Sequence, residues 1–183
     1  MSIYRIKSYS GDNFCYVDSN TGLDIDFIDD LTEGNLMFFD DNRIPSINLK
    51  RKTKILPDIL GTGSAEFFVN DKVKEILELN ITEQKINFSP IRIDKYNYWL
   101  LNIIGLLDCF DNEKSGYTTF ENGNIDDVHN LKFKKEKIPE ISIFRIKENT
   151  VRLFITEKLK NIFEEAGVTG VKYSDNMDLT MGI

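Results

Sequence analysis

Few residues in this chain of 183 amino acids have the chemistry of a catalytic centre. His129 is the only histidine and lies in a polar stretch. A histidine-based triad would need a cysteine or serine beside it, and zinc would need three or four cysteine, histidine or carboxylate ligands. Cys15 and Cys109 lie far apart and match no metal-ligand spacing. We expect a surface histidine and two free thiols in a reducing compartment, with a single disulfide as the alternative.

Carboxylates at the end of an apolar run are better candidates for chemistry. Asp108, Asp111 and Glu113 follow the run from Tyr98 to Leu107. Carboxylates at a strand end can act as general acids or bases or hold a divalent metal. They can also cap the following turn, and this interpretation is favoured. A metal-dependent hydrolase using Asp108 and Asp111 is the alternative function, beside a non-enzymatic scaffold domain.

The largest charge feature is an acidic cluster between residues 24 and 41. Its acids are Asp24, Asp26, Asp29, Asp30, Glu33, Asp40 and Asp41. A calcium loop would need a central glycine and a late glutamate in register, and these do not follow. The cluster is therefore a solvated face, a docking surface for a basic partner, or a metal or carboxylate-pair site. As a docking surface it would use Phe27, Phe38 and Phe39 as apolar anchors.

The overall charge points in the same direction. Lys and Arg total 23 and Asp and Glu total 30, which gives a net charge of −7. An acidic surface repels phosphate backbones and anionic lipids and attracts basic proteins. The N-terminus lacks the apolar region of a signal peptide, and no apolar run reaches the length of a membrane span. We expect a soluble cytoplasmic protein without a cofactor, resident metal, nucleic-acid or membrane partner.

Strand and helix signals alternate along the chain. Residues 18–42 are rich in Asp, Asn and Gly and predict a loop, and Ile3 to Tyr9 predicts a strand. Asn70 followed by Asp71 predicts a helix start, and Thr156 followed by Glu157 predicts another. Each helix has an apolar stripe at helical spacing, and Gly167 is typical of a helix end.

Hairpins are predicted beside each helix. One joins Ile86–Ile93 to Tyr98–Ile104, and the other joins Ile141–Ile146 to Val151–Ile155. Leu131 to Ile138 alternates apolar residues with lysines, and the tail from Ser174 is expected to fray.

An internal repeat organises these elements. Residues 68–78 align with residues 154–164 without a gap, and five positions are identical. Each copy leads to a similar strand, Ile86–Ser89 or Val171–Ser174. We predict an α+β fold with a mainly antiparallel sheet and two similar strand–helix–strand units, each packing a helix on the sheet. Residues 1–54 would form an acidic N-terminal strand and loop segment in one compact unit with an α+β domain at 55–183.

The order of several short motifs resembles a known bacterial family. The motifs are Asp108-Cys109-Phe110-Asp111 with Ser115, Ile143-Phe144-Arg145, Phe154 to Leu159, Ala166 to Val171, Phe68 to Leu77, and Phe88 to Ile91. Over roughly residues 55–174 the chain resembles the eleventh immunity family of polymorphic toxin systems, once catalogued as a domain of unknown function.

The resemblance implies a protein that binds a cognate toxin delivered between bacteria and has no enzymatic activity. It carries over no catalytic residue, and its matching residues are those expected of turns and caps. The acidic charge favours a basic toxin such as a nuclease. For the interface we predict Asp24, Asp26, Phe27, Asp29, Asp30, Glu33, Phe38, Phe39, Asp40 and Asp41.

Overall fold

The structure, a computed structural model, describes residues 1–9, 16–17, 25–37, 44–51, 55–61 and 66–181. Three helices lie in these ranges: α1 (Ile25–Glu33), α2 (Asp71–Asn80) and α3 (Glu157–Glu165). The strands are β1 (Ile3–Ser8), β2 (Tyr16–Val17), β3 (Ser46–Ile47), β4 (Leu49–Arg51), β5 (Ile59–Leu60), β6 (Phe68–Val69), β7 (Ile86–Ile93), β8 (Tyr96–Ile103), β9 (Gly116–Thr119), β10 (Ile125–Asn130), β11 (Ile143–Ile146), β12 (Asn149–Thr156) and β13 (Val171–Ser174). A short 3₁₀ helix covers Lys135–Lys137.

The fold is α+β and mostly antiparallel, as the sequence predicted, and two sheets dominate it. The five-stranded sheet has the order β3-β7-β8-β6-β5, and the four-stranded sheet has the order β11-β12-β1-β13. Their pairings are antiparallel except for β3 with β7. Two small pairs, β2 with β4 and β9 with β10, complete the described strands.

The repeat in the sequence corresponds to two structural units of the same arrangement. In the first unit, β6 and β7 flank β8, and α2 connects them. In the second unit, β12 and β13 flank β1, and α3 connects them. Both units therefore place an antiparallel strand from elsewhere in the chain between the strands that bracket their helix.

The strand registers of the two units also agree. Val69 lies opposite Trp99 on the middle strand β8. Its repeat equivalent, Ile155, lies opposite Tyr4 on the middle strand β1. On the far side, Phe88 faces Leu101, and Tyr173 faces Ile6. This agreement confirms the two similar units.

The two helix starts differ in how they are capped. The Asn70 side chain accepts a hydrogen bond from the amide of Val73 at 3.1 Å, as expected of an N-cap. The Thr156 hydroxyl instead accepts from the amide of Ser142 at 3.0 Å. Thr156 therefore ties α3 to the segment before β11 rather than satisfying its own helix.

One apolar core lies between the two units. It contains Val73 and Leu77 of α2 and Leu159 and Phe163 of α3, together with buried side chains from both large sheets. Lys72 Nζ of α2 donates to the carbonyl of Gly167, just after α3, at 3.1 Å. The start of α2 therefore lies beside the end of α3.

Separate cores cover the outer faces of the two sheets. Leu31 and Phe27 of α1 pack with Phe68, Ile91 and Leu100 over the five-stranded sheet. The outer face of the four-stranded sheet, which includes Phe144 and Phe154, is covered by β10, by the segment around Leu131 and by the C-terminal tail.

Two sequence expectations differ from the structure. Within residues 18–42, where a loop was expected, the described part contains α1. The described part of the tail, residues 175–181, is not frayed, because the buried Arg5 guanidinium donates to the carbonyls of Asn176, Asp178 and Met181. The alternating residues after Leu131, for which no element was predicted, form an isolated bridge at Phe133 and a 3₁₀ turn.

Candidate protein-binding surface

The described part of the predicted acidic surface is one face of α1. Asp26, Asp29, Asp30 and Glu33 are exposed, whereas Leu31 on the opposite side is fully buried. The helix therefore presents carboxylates to solvent because its apolar side chains are held against the five-stranded sheet.

The position of α1 is set by the chain at its C-terminal end. Gly34 has a φ of 75°, and a Cβ there would lie 2.7 Å from the backbone nitrogen of Gly105. The Gly34 carbonyl accepts from the Gly105 amide at 2.8 Å. Asn102 of β8 also donates to the Asn35 carbonyl at 2.7 Å. These contacts fix the acidic face relative to the rigid sheet.

The charge arrangement on α1 is unfavourable for the isolated helix. Acids near a helix C-terminus oppose the helix dipole, and the last turn of α1 contains no basic residue. The Asn35 amide donates to Asp30 at 2.8 Å and to Glu33 at 3.4 Å. Asp29, Asp30 and Glu33 form no ion pair with any lysine or arginine that the structure describes. Their negative charge is therefore open to a partner.

The other predicted interface residues divide into two groups. Phe27 is half-buried and packs against the core beneath α1. Asp24, Phe38, Phe39, Asp40 and Asp41 lie outside the described residues. The structure thus places half of the predicted surface on one helix and gives no position for the remainder.

The carboxylates of the alternative hydrolase site have separate lysine partners. Asp108 accepts from Lys137 Nζ at 2.8 Å, and this lysine holds the pKa of Asp108 below its ordinary value. Asp111 is buried, accepts from Lys114 Nζ at 3.0 Å and caps the turn at Lys114 and Ser115. The bond from Lys114 likewise lowers the pKa of Asp111. Two carboxylates that are ionised and paired with lysines are better suited to stabilising the fold than to donating protons.

A comparison with known proteins decides the family. The family model described as Immunity protein family (Imm11) matches residues 26–178. This chain belongs to the Imm11 immunity protein family. No curated protein matches the chain.

The Imm11 match extends the resemblance seen in the sequence. The motifs pointed to roughly residues 55–174, but the match begins at residue 26 and therefore includes α1 except for its first residue, Ile25. The acidic face of Asp26, Asp29, Asp30 and Glu33 is thus within the part of the chain that matches the family.

The remaining reactive side chains of this Imm11 protein do not assemble into a described site. His129 is exposed on β10, as predicted, and Cys109 is a buried free thiol whose pKa burial raises to about 12. Cys15 lies outside the described residues. Among the residues whose positions are given, no three His, Cys, Asp or Glu side chains are grouped to hold a metal ion.

One exposed element was not singled out by the sequence analysis. The β9–β10 hairpin presents Tyr117, which is 36% exposed, and Phe120, which is 55% exposed. A local sequence pattern does not reveal such exposure, because it depends on which surfaces the rest of the fold covers.

No helix in the described ranges is long and apolar enough to span a membrane.

Proposed function

We propose that this Imm11 protein binds and neutralises a cognate toxin in interbacterial competition, by covering the toxin's active site or blocking its access to target. The observation that carries the proposal is membership of the immunity family over residues 26–178. The protein would act in the cytoplasm by stoichiometric binding, without catalysis, a cofactor or a metal.

We further propose that the acidic face of α1 contributes to the toxin interface. Asp29, Asp30 and Glu33 have exposed carboxylates without a described ion pair, and the net charge of the chain is −7. Such a surface accelerates association with a basic protein, and a nuclease is the class of toxin it suits best. Asp24, Phe38, Phe39, Asp40 and Asp41 remain part of the proposed interface on sequence grounds, together with Phe27.

Cell survival tests the function. The chain should be co-expressed with the product of the adjacent open reading frame, because a toxin and its inhibitor are commonly produced together. We expect cells to survive with the full chain and to die without it. Death in both cases, at equal protein levels, would refute the proposal for that toxin.

Charge reversal tests the placement on α1. Changing Asp26, Asp29 and Asp30 together to lysine should slow association about tenfold or more at low salt and weaken protection, because steering is lost. The measurement is the association rate by biolayer interferometry at two salt concentrations.

A matched control changes the net charge equally at another surface. Glu75, Glu83 and Glu165 are exposed and unpaired within the described structure, so their joint change to lysine alters the charge by the same amount. Equal association rates for the parent and the α1 variant at low salt would rule out this placement. Equal slowing by both variants would show that net charge, not the α1 face, is responsible.

A further inference from the structure

The β9–β10 hairpin projects from the body of the protein. All residues of β9 are exposed, and on β10 only Val128 is buried. The base is held by an edge-to-face contact between Phe110 and Tyr117, with ring centroids 5.4 Å apart. The tip, which turns at Gly123 with a φ of 85°, carries the half-exposed Phe120. Exposed aromatic side chains on a projecting element are typical of protein-binding surfaces.

A cleft lies beneath this hairpin. It has a volume of about 350 Å³ and lies between the aromatic pair, Ile125 of β10, Lys134 and the β11–β12 turn at Glu148. An adjoining cleft of about 470 Å³ shares Gly123, Ile125 and Glu148 with it. The two together form a groove between the hairpin tip and the turn, and we call it the hairpin cleft.

The hairpin cleft contains an acceptor without a donor. The Oε2 atom of Glu148 is buried and has no hydrogen-bond partner in the part of the chain that the structure describes. Buried polar atoms are nearly always satisfied, and a buried carboxylate oxygen has a strong requirement for a positive donor. Asp108, on the opposite wall, already accepts from Lys137. Among the described carboxylates that line this cleft, Glu148 is therefore the one without a lysine or arginine partner.

The surroundings of the cleft favour a positively charged group that is planar and can stack on an aromatic ring. Glu121, Asp126 and Asp127 of the hairpin are exposed and form no described ion pair. Lys134 and Lys147 line the groove and oppose a cation, so charge alone does not select the occupant. A guanidinium group stacks on aromatic rings and donates to a carboxylate in two parallel bonds, which an ammonium group cannot do.

We propose that the hairpin cleft receives an arginine side chain of the toxin, which stacks on the Tyr117 ring and donates to Glu148. This inference rests on the proposed function and adds a second contact region to the α1 face. Glu148 would supply the charged hydrogen bond and Tyr117 the aromatic surface. Such central aromatic and arginine contacts contribute most of the affinity in many protein interfaces.

The experiment measures the affinity of full-length variants for the product of the adjacent open reading frame. Glu148→Gln and Tyr117→Leu should each raise the Kd about tenfold or more, mainly through faster dissociation, because a desolvated contact is lost. Glu165→Gln and Tyr9→Leu are controls at exposed residues outside the cleft, and they should change the Kd by less than about twofold. Thermal melting of each variant establishes that it is folded.

The outcomes separate this inference from the proposed function. If the parent binds and both cleft variants bind within about twofold of it, the cleft assignment is wrong and the proposed function stands. If the parent forms no complex, the proposed function and the inference fail together. If Tyr117→Leu does not fold, Glu148→Gln, which keeps the size of the side chain, decides the question.

Discussion

Asp58 shows how a single side chain connects the two repeat units. Its carboxylate accepts from the Asn70 amide at 2.7 Å and from Lys72 at 3.3 Å, both at the start of α2. It also accepts from the backbone amide and the hydroxyl of Thr169, after α3, at 2.8 and 2.9 Å. Burial disfavours the ionised form, but these bonds outweigh it and hold the pKa of Asp58 below its ordinary value of 3.8.

Replacing Asp58 should destabilise the protein and change its response to acid. Asp58→Asn should lower the free energy of unfolding by about 2 kcal/mol at neutral pH, because charged hydrogen bonds are lost. Since the folded-state pKa is depressed, the stabilisation is present above the unfolded pKa and is lost as pH falls through the folded pKa. The difference in free energy of unfolding between parent and variant, measured by urea denaturation, should therefore become smaller below about pH 4.

An exposed aspartate provides the control for Asp58. Asp175→Asn should leave the free energy of unfolding nearly unchanged at both pH values. If the difference in free energy of unfolding between the parent and Asp58→Asn is the same at neutral and acid pH, the assigned role of the carboxylate is wrong.

The burial of two arginines could not be predicted from the sequence. Arg5 and Arg145 are 0% and 2% exposed, although arginine is normally at the surface. Arg5 donates to carbonyls of the C-terminal tail, which are more than 170 positions away in sequence. Burial lowers the pKa of Arg145 to about 10, which still leaves it charged at neutral pH. Such contacts depend on the tertiary fold and have no local sequence signature.

At the scale of elements, the repeat was predictable because its signals are local. The cap residues, the first-turn acids and the apolar stripes occur at fixed spacings in both copies. Val73 and Leu77 of the first stripe are buried, whereas Leu79, near the end of the same helix, is 79% exposed. The middle strand β8 was predicted as the hairpin partner of β7, and the pairing is confirmed. The middle strand of the second unit was not predicted, because β1 comes from the opposite end of the chain.

The two units contain equivalent lysine contacts. Lys74 Nζ lies 5.0 Å from the Trp99 ring and 5.4 Å from the Phe88 ring, and it bonds Glu78 at 2.7 Å. In the second unit, Lys160 lies at similar distances from Tyr4 and Tyr173 and bonds Glu164 at 2.7 Å. Each lysine therefore connects its helix to the middle strand and the outer strand of its own unit.

We expect the two lysines to contribute similarly to stability. Lys74→Gln and Lys160→Gln should each lower the free energy of unfolding by about 1 kcal/mol, through lost cation–π and helical ion-pair contacts. Chemical denaturation measures the effect, with the exposed Lys85→Gln as a neutral control. A large loss for one lysine and none for the other would show that the units are not energetically equivalent.

The helix α1 was missed because its stability comes from tertiary packing. Its sequence is rich in Asp and flanked by Asn and Gly, which are poor helix formers. Leu31 and Phe27 nevertheless bury their side chains against the five-stranded sheet. The acidic residues were identified from the sequence, but their arrangement on one helix face depends on that packing.

At the scale of the whole molecule, the assembly of the two units determines which surfaces are covered and which are open. Two similar units share a central core, and the outer faces of their sheets are covered by α1 on one side and by the β9–β10 region on the other. The net charge of −7 was evident from the sequence, whereas the exposed hairpin and its cleft were not. Local patterns predict elements, but the surfaces left open are determined by their assembly.

If this protein is an inhibitor, protection results from binding and not from turnover. The direct measurement is a titration of the purified Imm11 protein into a fixed amount of active toxin, with residual toxin activity and the intact mass of the toxin recorded. We expect inhibition to be complete at a fixed molar ratio, not to increase with incubation time and to leave the toxin mass unchanged. Inhibition by a small fraction of an equivalent, growing with time or accompanied by cleaved or modified toxin, would contradict it.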